Sequence, residues 1–186
     1  MTGAPHGAAL LKRRLEAILA GHPSIERAAL DPVSFPRRFL VSGGSRQEIE
    51  IVGLLSAMLA YGKLEVFTRV TEEILRRADQ RLLEVACKKR KLRGGWPGYR
   101  LSTGNEISRL VHAGGTVIAL RGGLFESFLI GWRAKHSLKD GLIALHTDLA
   151  NAAADDGNGP TTRGLAHLLP DPAKGGAVKR WMMFTR

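Results

Sequence analysis

The sequence predicts an all-α protein built as a single domain. Apolar residues recur at helical spacing along almost the whole chain, and the one strand-like run, "TVIAL", has no partner run. A length of 186 residues is enough for one proper core. The apolar share of 44% and the charged share of 24% are those of an ordinary globular chain, which excludes wholesale disorder.

The elements follow in order. "AALLKRRLEAILAG" places Leu11, Leu15, Ile18 and Leu19 on one stripe, with Gly21 as a C-cap. "LDPVSFPRRF" reads as an irregular strap, because Pro32 and Pro36 push their preceding residues towards extended geometry. Ser45 and Glu48 have capping-box spacing and open a helix that is apolar almost all round to Tyr61, as expected of a buried helix. Gly62 breaks it, and a second amphipathic helix turns Leu64, Phe67, Val70, Ile74 and Leu75 inward. Residues 45–78 therefore form a central helical hairpin. "NEISRLVHA" and "GLFESFLIGWRA" read as short helices around "TVIAL", which is helix or loop. "LKDGLIALHTDLANAAA" is amphipathic, and "RGLAHLL" is a short helix before a terminal hairpin-like motif over 162–186.

Lys+Arg of 28 against Asp+Glu of 17 leaves a net charge of +11, a field that favours phosphate-bearing partners. Cys87 stands alone, which excludes an internal disulfide and fits a reducing cytoplasm. Lys12, Arg13 and Arg14 interrupt the run where a secretory signal needs continuous apolar sequence. The longest uncharged apolar stretch falls short of the ~20 residues that span a bilayer, so no membrane partner is expected. His112, His136, His146 and His167 lack the spacing of a helical zinc site, and no phosphate-loop, dinucleotide or nucleophile-elbow motif occurs. The sequence predicts neither metal nor cofactor.

Two stretches carry candidate chemistry. Lys88, Lys89, Arg90, Lys91 and Arg93 precede Trp96, Tyr99 and Arg100; cations suit phosphates and aromatic rings stack on bases. In "LLPDPAKGGAVKR", a turn with Gly175 and Gly176 leads into a second helix flanked by Lys174, Lys179 and Arg180. Free amides and close-approach glycines at such a bend predict a phosphodiester-binding hairpin.

"LLSAMLAYG" followed by an amphipathic helix resembles the opening helix pair of the helix–hairpin–helix DNA glycosylase superfamily, and "LLPDPAKGGAVKR" resembles its hairpin. Taken together, "DPVSFPRRF", "LLSAMLAYG", "YRL", "GGLFESF" and "LLPDPAKGGAVKRWMMF" resemble a bacterial family of uncharacterised proteins distantly akin to those glycosylases. The resemblance implies a DNA-binding base-excision fold with Lys179 as the catalytic amine, which attacks the sugar carbon as the base departs. It also implies a DNA-wedging turn at Met58, Tyr61 and Gly62. The acidic partner and the helices after the hairpin have no counterpart, so the chain reads as truncated and little glycosylase activity is expected. The apolar face around Trp181 and Phe184 then predicts self-association or partner docking. The competing expectations are a helical scaffold protein without a nucleic-acid role, and RNA binding through the 88–100 loop.

Overall fold

The computed structural model describes residues 12–18, 31–155, 159–174 and 178–185, and every structured segment among them is helical. Residues 12–18 are helical and exposed. There follow α1 (Ser34–Val41), α2 (Arg46–Leu59), α3 (Leu64–Arg77), α4 (Leu82–Ala86), α5 (Gly104–Arg121), α6 (Leu124–Lys135), α7 (Leu138–Ala154) and α8 (Arg163–Leu168). A 3₁₀ turn (Pro172–Lys174) and α9 (Lys179–Phe184) complete the order. Among the described residues no strand forms; Tyr99 and Ser102 make one isolated bridge.

Local sequence sets most boundaries. The Ser45 hydroxyl accepts from the Glu48 amide while the Glu48 carboxylate accepts from the Ser45 amide, and Thr103 and Glu106 repeat this box at the start of α5. Ser137 and Thr162 cap α7 and α8 through the hydroxyl alone, accepting from the Asp140 and Leu165 amides. α2 is the axis of the core: Ile51, Val52, Leu54, Leu55, Met58 and Leu59 are all inaccessible, packed by α1, α4, α5 and α9. α6 and α7 pack side by side because Gly131 lets the Asp140 carbonyl approach; a Cβ there would lie 2.1 Å from that oxygen.

Two expectations need correction. The 31–41 strap is a helix from Ser34, because Pro36 falls in its first turn, where a missing N–H costs no hydrogen bond. The Asp31 side chain accepts from the Val33 amide at 2.9 Å and shapes the entry. "TVIAL" belongs to one continuous 18-residue helix, α5, rather than to a gap between two short ones. Gly114 and Gly115 within α5 are contact points. A Cβ on Gly114 would lie 2.5 Å from Ile51, and one on Gly115 2.2 Å from the Ala86 carbonyl.

No single helix among the described residues is long and apolar enough to cross a membrane. The α5–α6 pair approaches such composition but bends by 66°. α9 buries its apolar face within the chain: Trp181 is inaccessible, and Phe184 lies over the side of α2 left open by Gly53.

Two buried charges bind the ends of the helices together. Arg109 donates to the carbonyls of Ala153 (2.8 Å), Gly159 (2.9 Å) and Pro160 (3.2 Å), tying α5 to the segment between α7 and α8. Glu106 accepts from the Thr103 amide at 2.7 Å and from the Thr162 hydroxyl, joining the starts of α5 and α8. Burial pushes the Glu106 carboxyl up. Hydrogen bonds from Thr162, Thr103 and the Gly164 amide outweigh this and hold it below the ordinary glutamate value of 4.5. The unfolded chain therefore takes up this proton first, and the stability present above pH 4.5 is lost as pH falls through the folded-state value. Glu106→Gln is expected to cost about 1–3 kcal/mol at pH 7 and to shallow the acid limb of a urea-midpoint profile taken from pH 7 to 3. An unchanged acid limb would exclude Glu106 from that dependence.

Candidate nucleic-acid interface

The turn after α2 shows how distant segments meet. Gly62 has φ +83°, and a Cβ there would stand 2.6 Å from the Arg100 guanidinium, so glycine allows Arg100 to lie across the turn. Arg100 is itself left-handed (φ +51°), inside the tight Tyr99–Ser102 turn with its backbone bonds of 2.8 and 2.9 Å. Tyr61 and Tyr99 lock the two turns together. The Tyr61 hydroxyl donates to the Tyr99 carbonyl at 3.0 Å, the Tyr99 hydroxyl donates to the Tyr61 carbonyl, and the ring centroids are 4.7 Å apart. Burial pushes both phenols up.

The terminal helix reaches the same place. Arg180 donates to the Met58 carbonyl at 2.9 Å and to the His167 carbonyl, with its guanidinium 5.4 Å from the Tyr61 ring centroid. The His167 ring meets Tyr61 edge-on at 4.7 Å, and its Nε2 is buried with no hydrogen-bond partner. Burial, then the neighbouring Arg180, holds this imidazole below its ordinary value. The turn after α2 and the terminal helix, remote in sequence, are thus in direct contact.

That contact corrects several assignments. Met58 is wholly inside the core and cannot enter a base stack. Tyr61 is half-buried among Tyr99, His167 and Arg180, which leaves Gly62 and Lys63 as the exposed tip. Arg180 is 6% exposed and bonded to the protein's own carbonyls, so it cannot serve as a phosphate ligand. Lys179 is exposed at the start of α9. Lys174 is exposed, 3.6 Å from Asp171. Gly175 and Gly176 lie outside the described residues.

The basic loop divides in the same way. Asp79 takes Arg90 and, at 3.1 Å, Arg93. Arg77 donates to the Gly94 (2.9 Å) and Gly95 (2.6 Å) carbonyls and anchors the loop to α3. Lys88, Lys89 and Lys91 remain exposed, with no ion pair among the described residues, and Trp96 is half-buried against His112. Neither residues 87–103 nor residues 60–63 include a carboxylate. Lys63 joins this set, although no motif marks it in the sequence; its only signal is its place beside Gly62, which carries Arg100.

Fold and surface together define a class: an all-helical protein with several exposed cations, unpaired among the described residues, on two acid-free loops, one of which lays Arg100 across Gly62 of the other. The chain belongs to the family described as Protein of unknown function (DUF2400), whose model matches residues 31–186. Searches of curated proteins and of solved structures returned no match. The family description assigns no activity.

Proposed function

We propose that this protein binds DNA without sequence preference, through the Gly62–Lys63 tip, Arg100 and the Lys88–Lys91 loop. One observation carries the reading: internal pairing uses up Arg90, Arg93 and Arg180, while Lys63, Lys88, Lys89, Lys91 and Arg100 stay exposed on loops free of carboxylates. Cations so placed contact phosphates and release counterions, which makes affinity fall with salt. The contact between the turn after α2 and the terminal helix supports a relationship to helix–hairpin–helix base-excision proteins. In that chemistry Lys179 is the amine. Its nitrogen bonds to the sugar carbon as the bond from that carbon to the base breaks.

Binding to a fluorescent 20-base-pair duplex, measured across a salt series, tests the proposal. Replacing Lys88, Lys89 and Lys91 together by Gln is expected to reduce the slope of log K against log salt by about 2–3. Replacing Arg133 and Lys139 instead should leave it unchanged. An unchanged slope in the triple variant removes the loop from the interface. Borohydride trapping on an abasic duplex tests the chemistry separately: an adduct that survives Lys179→Ala removes Lys179 from it.

A further inference from the structure

A second feature adjoins the basic loop and shares Lys88 and Lys91 with the duplex-binding set. Two hollows of about 310 and 390 Å³ meet at Lys88 and His112, each at the lower end of the range for small-molecule sites. Gly115 brings the end of α4 flush against α5, and Lys88 then turns away with φ +57°, opening space on both sides of His112. The His112 ring is fixed. Its Nδ1 lies 3.2 Å from the Ala86 carbonyl, which can only accept, so in the neutral ring Nδ1 carries the proton and Nε2 is an acceptor.

The two hollows differ in chemistry. One holds Lys88, Lys91 and the Trp96 ring, with Arg90 at its edge already committed to Asp79. The other has apolar walls from Val117, Leu120 and Ala152, with Asn151 and Asp155 at the polar rim. Asp148 also lines it, but Arg121 (2.9 Å) and Ser127 (2.7 Å) occupy its carboxylate. The Asp155 side chain makes no hydrogen bond or ion pair among the described residues. One hollow therefore offers Lys88 and Lys91 beside an aromatic ring, and its neighbour, which also borders Lys88, offers aliphatic walls with an acceptor carboxylate and an amide.

We propose that the joined hollows bind a nucleoside monophosphate whose base carries an exocyclic amino group, that is, adenine or cytosine. The phosphate lies between Lys88 and Lys91, and the base lies against Val117, Leu120 and Ala152. Asp155 accepts from the amino group, and Asn151 pairs with the adjacent ring nitrogen.

Titration calorimetry of the whole chain with AMP, CMP, IMP, UMP, adenosine and inorganic phosphate tests the assignment. AMP or CMP is expected to bind about tenfold or more tightly than IMP, UMP, adenosine or phosphate. Asp155→Asn should erase the preference for the amino base while leaving the DNA salt slope of the parent chain. Lys88→Gln with Lys91→Gln should bring AMP down to the level of adenosine. Phosphate binding as tightly as AMP would overturn the proposal in favour of a plain anion patch. Absence of nucleotide binding at millimolar concentration, or an AMP/IMP ratio unmoved by Asp155→Asn, would also overturn it. Thermal melting of each variant guards against misfolding; if Asp155→Asn melts early, Asp155→Ser in the same titration decides the question.

Discussion

Trp181→Ala is expected to lower stability by about 3–5 kcal/mol, a large part of the ~5–15 kcal/mol available to a domain of this kind. Trp181 is wholly inaccessible, its indole N–H donates to the Pro170 carbonyl at 2.7 Å, and its ring meets His146 edge-on at 6.2 Å. Truncation removes the largest side chain in the core, leaves a carbonyl without its donor, and opens a cavity that short α9 cannot collapse to fill. Met182, its neighbour, is 45% exposed, and Met182→Ala should cost under about 1 kcal/mol. Urea denaturation of both variants checks the pair. A Trp181→Ala midpoint within experimental error of the parent would show that the terminal helix does not dock on α2.

Arg109→Ala is expected to cost about 3–5 kcal/mol for a different reason. The guanidinium is 1% exposed and is shared among three carbonyls of the segment that leaves α7. Its removal strands those acceptors and frees the connection to α8, so proteolysis near residues 155–162 should accelerate together with the loss of stability. Arg109→Lys should restore little, because a single ammonium lacks the planar fork that reaches three oxygens at once. A Lys variant as stable as the parent would show that charge alone, rather than the fork, holds the segment.

How much of this was legible beforehand depended on the range of the forces involved. Helical character, the Ser45–Glu48 box and the break at Gly62 follow from residues within one or two turns of each other. The inward faces of α2 and α3 could be read from spacing for the same reason. The Thr103–Glu106 box was equally local and readable, but nothing local showed that the helix it opens runs on past Gly114 and Gly115 through "TVIAL". A glycine's meaning depends on what stands opposite it, and Ile51, Leu54 and the Ala86 backbone come from elsewhere in the chain.

The candidate interface was harder still. A run of Lys and Arg reads as one patch in sequence, yet Asp79 withdraws Arg90 and Arg93 from it, and the carbonyls of Met58 and His167 withdraw Arg180. Lys63 joins it only because Tyr61 and Tyr99 lock two turns 38 residues apart. The amino-acid sequence by itself determined the all-helical architecture and the positive surplus, since propensity, capping and net charge need no knowledge of partners. Tertiary structure alone decided which of those cations face solvent, because each must find or miss an acceptor that the fold, and not the neighbouring residues, brings within reach.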